Sequence, residues 1–378
     1  MTHFSSENLK QKASDLGFNL VGITPAVPSP TLAAYQRWID AGMHGKMGYL
    51  ARPDRQIRRE DLNVIVPGAV SIIMVALDYR TSAIPDEILH DPSRGRIASY
   101  AWGIDYHDIM TPRLEKLAAW ISYEAGQQFD YKSYVDTGAV LERSHAQQAG
   151  MGFIGKNTML IHPRRGSYFF LGELISTLEF DEYDTAHREN MCGTCNRCLQ
   201  ACPTDAFPQP HVLDARRCIS YHTIENKGWI PRELRSQFGN WIFGCDICQD
   251  VCPFQRFSPL AHEQLFNPAD IDRAAPRLED IFRLDDTIFK ASYHRSPIYR
   301  IKRTRLIRNA CVAAGNSNDS RLIPYLIQLL YDEQTLVRGH AAWALWQLMG
   351  DAATRLLTDL YDSDEDGTLR NEIKALLT

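Results

Sequence analysis

Eight of the nine cysteines of this chain lie between Cys192 and Cys252. They read Cys192-x2-Cys195-x2-Cys198-x3-Cys202-Pro203, then Cys218, then Cys245-x2-Cys248-x3-Cys252-Pro253. This is the spacing with which a ferredoxin-type domain holds two [4Fe–4S] cubanes. A cubane needs four thiolates at tetrahedral corners. A short loop presents three, and the fourth, just before the proline, usually turns to the other cluster. One ligand set is then Cys192, Cys195, Cys198 and Cys252, and the other is Cys202, Cys218, Cys245 and Cys248. Paired CxxC motifs also build structural zinc sites, but those rarely add a third cysteine at x2 followed by x3-Cys-Pro. Disulfides require an oxidising compartment, to which nothing in the chain points. Its start, MTHFSSENLKQKASDLGF, lacks a basic n-region, an apolar h-region and a twin-arginine pair. No apolar run approaches the ~18–20 residues of a membrane span. The expectation is a soluble, cytoplasmic protein through which electrons travel. Cys311, set in Ala310-Cys311-Val312-Ala313-Ala314, reads as a small core residue.

The 378 residues allow two or three domains, and the pattern predicts an α+β chain in three parts. Residues 1–185 read as α/β. Leu9, Ala13 and Leu16 mark a first amphipathic helix, and Leu114, Leu117, Ala118 and Ile121 mark another. Val70–Leu77 and Tyr131–Val135 have strand composition. Thr158–Ile161, the turn HPRRGS and Tyr168–Leu178 suggest a hairpin. Antiparallel pairing there, with no G-x-G-x-x-G after the first strand, argues against a dinucleotide-binding domain. Residues 186–260 form the ferredoxin-like cluster domain. Residues 261–378 read as HEAT-like helical repeats, because Leu306-Ile307-Arg308, Leu336-Val337-Arg338 and Thr368-Leu369-Arg370 place an arginine every thirty or so residues.

Net charge is −5, which does not suggest a nucleic-acid partner, but its distribution does. No acid occurs between Asp286 and Asp319, while Lys290, Arg295, Arg300, Lys302, Arg303, Arg305 and Arg308 all fall there. Such a one-signed stretch with Tyr293 and Tyr299 interleaved suits phosphate contact. On charge alone, a solvated helix start fits equally well.

A free ferredoxin does not need about 185 residues before its cysteines, so the front domain should hold the reacting centre. Its most unusual stretch begins at Val135 and combines Asp136 at a strand end with Gly150, Gly152 and Gly155, followed by Lys156-Asn157-Thr158. A carboxyl just past a buried strand can act as a proton donor where desolvation raises its pKa, and the glycines would let backbone approach a large ligand. A lone Asp after a strand is also a common turn former or helix cap.

The motifs VDTGAVLER, GFIGKNTMLI, GSYFFLGE, CGTCNRCLQACPT, LDARRCISYHTIENKG and FGCDICQDVCPF, with GRIASYAWGIDYH and the trailing repeats, resemble the epoxyqueuosine reductase family in the same order along nearly the whole chain. The resemblance implies an oxidoreductase whose front domain binds cobalamin, whose clusters reduce the cobalt, and whose substrate is a tRNA carrying epoxyqueuosine at the wobble position. It implies Asp136 as proton donor. It places Arg58, Tyr100, Lys156, Asn157, Thr158 and Phe170 near the corrin, with Ser220 and Tyr221 at the cluster–cobalamin junction. It gives the tRNA to His222, Arg295, Arg300, Lys302, Arg303 and Arg305 and to the helical repeats. A low-potential electron donor is implied as partner, and nothing demands more than a monomer. Asp105-x-His107-x-x-Met110 nearly copies a cobalt-ligating D-x-H-x-x-G but lacks the glycine, so no histidine is expected below the metal. Rival readings are a reductive dehalogenase of small organohalides, an iron–sulfur electron-transfer protein and a cobalamin chaperone. The first would favour a twin-arginine leader, the second predicts no corrin, and the third would not need two clusters.

Overall fold

The uninterrupted apolar strand SIIMVALD is buried at every position, which places it inside a sheet rather than at its edge. The structure, a computed structural model, describes residues 4–187 and 190–378. The chain forms two compact units, each assembled from interleaved stretches. The first takes Met1–Thr81, Asp105–Arg216 and Ile247–Phe266; the second takes Ser82–Ile104, Arg217–Asp246 and Asn267–Thr378. The boundaries expected near 185 and 260 are therefore not those drawn by packing, and the cysteine-rich stretch contributes to both units.

In the first unit, Leu20–Pro25, Ser71–Asp78, Phe169–Ser176 and Tyr131–Tyr134 form one sheet in that order. Every neighbouring pair is antiparallel. One face takes the helix His107–Glu124, whose Met110, Leu114, Leu117, Ala118 and Ile121 are fully buried. The contact is close at Gly172, where a Cβ would lie 3.1 Å from Leu114 and 3.2 Å from Met110. The other face, with Ile72, Met74, Ala76, Phe169 and Ile175, packs on Leu62, Val66, Val140, Ala146 and Ala149. Each fully buried side chain of this size is worth about 1.5–3 kcal/mol. The first helix runs Ser6–Asp15 behind an N-cap at Ser5 and buries Leu9 and Ala13.

The expected hairpin does not form. Leu160–Ile161 pairs with Phe153–Ile154 instead, and Phe169–Ser176 lies between Ser71–Asp78 and Tyr131–Tyr134. A single bridge from His162 to Gly166 closes the turn. The long apolar strand gains more by burying both edges in the sheet than by pairing with a two-residue segment.

In the second unit, Arg96–Ile97 pairs in parallel with Trp241–Phe243. Helices Lys302–Gly315, Ile323–Leu329, Thr335–Met349, Thr354–Ser363 and Gly367–Leu377 follow one another as repeating pairs. The repeat has an electrostatic signature: Arg303 pairs with Asp332, and Arg338 with Asp364, each at 2.7 Å. Gly315 permits the close crossing of two of these helices, since a Cβ there would lie 2.4 Å from the Trp343 ring. Among the described residues, no helix is long and apolar enough to cross a membrane.

Candidate active site

Asp136 follows the buried Val135 at the end of Tyr131–Tyr134 and adopts left-handed backbone, φ 54°. Aspartate is one of the few non-glycine residues that tolerate this region. The Tyr106 hydroxyl donates to its Oδ2 at 3.0 Å. Tyr106 stacks on Phe170, with centroids 4.2 Å and planes 12° apart, and Phe170 packs against Tyr79 at 4.5 Å. An aromatic stack thus fixes the hydroxyl that orients the carboxylate. The chain folds back at Gly138, where a Cβ would lie 2.6 Å from the Tyr134 ring.

Two further carboxyl groups share this corner. Glu142 opens the helix Glu142–Gln148. Glu173 stands in the middle of its strand, opposite Met74 on one side and Tyr134 on the other. It is 0% exposed, and neither carboxyl oxygen has a hydrogen-bond partner among the described residues. Burial pushes Glu142 up to about 8, with the Asp136 charge adding to it, and burial pushes Glu173 well above the ordinary carboxylate range, with the charges of Glu142 and Asp136 adding to it. His145, buried on the same helix, is pushed down to about 4 by burial and so stays neutral. Tyr106, Glu142 and Glu173 were not singled out from sequence. The available signal was Glu173, the one ionisable residue in the apolar strand FFLGELIS.

The glycines after this helix have another use than the one expected. A Cβ at Gly152 would lie 2.5 Å from the Ile161 carbonyl, and one at Gly155 2.5 Å from the Ile161 side chain. Gly150 would meet the Thr185 carbonyl at 3.0 Å. Close packing within the unit is enough to require glycine at all three.

Cys192, Cys195, Cys198 and Cys252 line one cavity of about 200 Å³. All four are free and half-buried. Burial raises the Cys198 thiol, with Cys192 and Cys252 acting on it, and burial raises Cys252, with Cys192 and Cys195 acting on it. Lys156 and Asn157 line the same cavity. The Lys156 ammonium donates to the Gly193 carbonyl and to Asn196 Oδ1, both at 2.8 Å, and the Asn157 amide donates to the Cys248 carbonyl at 2.9 Å. Both side chains therefore brace the cysteine loops. Among the described residues no three His, Cys, Asp or Glu converge on a single ion. Cys202 accepts from the Ala206 N–H at 3.3 Å. In the second unit, Cys218 caps the helix Ile219–Ile224, and Cys245 follows the strand Trp241–Phe243.

The remaining candidates divide between the units. In the first, Arg58 is half-buried and acts electrostatically on Tyr134, while the Thr158 carbonyl accepts from the exposed Arg143 at 2.6 Å. His107 begins its helix with Nδ1 2.6 Å from Asp105. In the second, Tyr100 lies against Phe243 at 5.9 Å, and Ser220 and Tyr221 sit on the helix Ile219–Ile224. His222 is only 3% exposed. Arg303 and Arg305 are half-buried and already engaged: Arg303 with Asp332 and the Leu284 carbonyl, Arg305 with the carbonyls of Ile224, Arg300 and Ile301. Arg308 is fully buried. Arg295, Arg300 and Lys302 are exposed, although Arg300 also pairs with Glu225 at 2.8 Å. The continuous basic arm read from the sequence is thus reduced to a few surface cations.

Comparison with known proteins adds three family matches. Residues 59–137 match "Epoxyqueuosine reductase QueG, DUF1730", residues 191–255 a 4Fe-4S double cluster binding domain, and residues 302–377 HEAT repeats. The epoxyqueuosine reductase of Xanthomonas campestris pv. campestris is 40% identical over 350 residues, 91% of this chain and 96% of the relative. A crystal structure of selenomethionine-labelled epoxyqueuosine reductase superposes with a TM-score of 0.89 at 31% identity, covering 98% of both chains. Another, of epoxyqueuosine reductase with an epoxyqueuosine-modified tRNA-Tyr stem loop, superposes with a TM-score of 0.88 at 31% identity, covering 98% of this chain and 97% of that one.

Proposed function

This chain belongs to the epoxyqueuosine reductase family, and from that premise we propose that it reduces epoxyqueuosine to queuosine in tRNA. The reaction removes the epoxide oxygen, consumes two electrons and two protons, and leaves an alkene and water. The observation that carries the residue-level reading is the orientation of Asp136 by Tyr106, with two desolvated carboxyls behind it.

The cavity bounded by Cys192, Cys195, Cys198 and Cys252 fits one [4Fe–4S] cluster, with Lys156 and Asn157 holding its loops. The spacing of the sequence leaves Cys202, Cys218, Cys245 and Cys248 to the other. Around Asp136, the exposed Arg143, the half-buried Arg58 and the aromatic Phe170–Tyr106 stack fit a large ring rimmed with amide groups, which supports cobalamin there. When bound, cobalamin supplies the low-potential electron pair, refilled through the clusters. For Tyr100, Ser220 and Tyr221 the corrin role rests on the family resemblance.

The chain's own part in the chemistry is proton management. An epoxide oxygen leaves only as it is protonated. Tyr106 occupies Asp136 Oδ2, so Oδ1 is the oxygen that presents a proton to the substrate. The aromatic stack keeps that oxygen from swinging away. On the tRNA, Arg295, Arg300 and Lys302 are the cations whose exposure suits phosphate contact. The protein works as a cytoplasmic monomer fed by a low-potential donor.

Mass analysis of epoxyqueuosine-containing tRNA, after incubation with reconstituted protein and a low-potential reductant, tests this reading. Loss of one oxygen from the modified base, falling at least ~100-fold in Asp136→Asn, is the expected result. Unchanged tRNA with a fully loaded wild-type protein would overturn it.

A further inference from the structure

Three segments of the first unit, residues 143–172, 190–204 and 251–262, build the cavity of Cys192, Cys195, Cys198 and Cys252 and its surroundings. None of them contains an aspartate or glutamate, while Arg143, Lys156, Arg164, Arg165, Arg197 and Arg256 all fall within them. Short contacts hold the segments together. The Ser258 hydroxyl donates to the Arg165 carbonyl at 2.7 Å, the Ser167 N–H donates to Gln255 Oε1 at 2.8 Å, and Phe153 meets Phe254 edge-on at 5.3 Å. Lys156 ties the first segment to the second through Gly193 and Asn196. A second cavity, of about 320 Å³, is lined by His162, Arg164, Arg165 and Pro259. It begins one residue along the chain, since Ile161 lines the cysteine cavity.

Structural roles absorb half of these cations. Arg143 binds the Thr158 carbonyl, Lys156 braces the cysteine loop, and Arg165 pairs with the buried Asp78. Arg164, Arg197 and Arg256 are exposed, and their guanidinium groups meet no carboxylate or hydrogen-bond acceptor among the described residues. Arg197 rims the cysteine cavity and Arg164 the second one. Arg256 lies over the Phe257 ring at 4.5 Å. Phe257 comes three residues after the cavity-lining Phe254 in the 3-10 helix Pro253–Phe257, and so shares its side. Phe257 and Leu260 are 44% and 56% exposed. Apolar side chains ringed by unanswered arginines have the composition of a protein interface.

We propose that this face receives a small acidic protein carrying one electron at low potential, and that electrons enter the chain here, through the cluster that Cys192, Cys195, Cys198 and Cys252 fit. The inference rests on the proposed reduction, which draws two electrons per turnover. Each encounter oxidises the carrier by one electron and reduces the cluster by one; no bond forms or breaks, and two encounters serve one turnover. Opposite charge steers the carrier to the arginines, and redox encounters need only small interfaces. An RNA laid on this face would instead cover the cysteines through which electrons must arrive.

The test mixes full-length protein with reconstituted clusters, in stopped flow, with reduced flavodoxin, an acidic flavin carrier, and separately with dithionite, which needs no docking face. Wild type is compared with Arg164→Glu, Arg256→Glu and the double variant. Flavodoxin-driven bleaching of the clusters should slow roughly tenfold or more in the double variant at low salt, and the gap should close as ionic strength rises. The dithionite rate should not change. Binding of oxidised flavodoxin, followed by titration, should weaken in parallel. Equal flavodoxin rates in wild type and double variant would overturn the proposal. So would a loss confined to tRNA binding, which would assign the face to RNA. If the charge-dependent reduction holds while epoxyqueuosine tRNA stays unchanged, the proposed reaction fails and the docking face stands.

Discussion

Two buried charges, one in each unit, show opposite treatments of the same physical problem. Arg308 and Glu173 are both 0% exposed. Arg308 is completely answered: its guanidinium donates to the carbonyls of Asn226 and Gly228 at 2.7 Å and of His222 at 2.6 Å, and to Asn309 Oδ1 at 2.7 Å. Asn309 extends the clamp to the carbonyls of Thr223 and Ile242. Burial lowers the Arg308 pKa to about 9, which still leaves it charged at neutral pH. Glu173 has nothing of the kind and resolves its burial by keeping a proton. A charge with a full set of acceptors ties loops together; an acid with none stays neutral.

The comparison breaks most visibly at Arg308. Replacing it by methionine leaves three buried carbonyls without a donor and should cost about 3–5 kcal/mol in denaturant unfolding. A loss below ~1 kcal/mol would show that the clamp is ornamental. Glu173→Leu should go the other way, gaining about 1–3 kcal/mol at alkaline pH by removing an unanswered polar group. The sign follows from linkage. A carboxyl whose folded pKa is raised binds more protons in the native state than in the unfolded chain. Its contribution is therefore fully present below the unfolded value of about 4.3 and is lost as pH rises through the folded one. Wild type should accordingly lose stability from pH 5 to 9, and Glu173→Leu should lose less; parallel curves would mean that Glu173 does not titrate with folding. The smallest effect belongs to Lys302, an exposed cation over the Tyr299 ring at 4.7 Å. Lys302→Ala should change stability by less than about 0.5 kcal/mol. If it contacts phosphate, the salt dependence of tRNA binding should lose about one unit of slope. An unchanged slope would remove it from the interface.

Much of the fold was legible in the chain. Buried strands announced themselves as apolar runs, and the helices by their 3.6-residue stripes, at Leu9 and Ala13 and at Leu114 through Ile121. The site was legible in part. Asp136 was identifiable as a sheet-end carboxyl, but Tyr106 lies thirty residues before it and was passed over. Glu142 and Glu173, two neighbours of Asp136 that burial raises, were not singled out. The packing role of Gly150, Gly152 and Gly155 was not legible, because the atoms they must clear belong to Thr185 and Ile161 further along the chain.

What the sequence determined by itself is whatever depends on spacing along the chain: cysteines set for cubanes, strand and helix periodicity, the helical repeats and the family. What only the tertiary structure decided is which charges find partners. It bound Arg303, Arg305 and Arg308 into the second unit and left Glu173 bare in the first. The reason is distance. The carbonyls that accept from Arg308 lie 80 to 86 residues away in sequence, and the apolar surroundings of Glu173 are completed by Met74, Val140 and Ala146 from other segments, so no local pattern records either outcome.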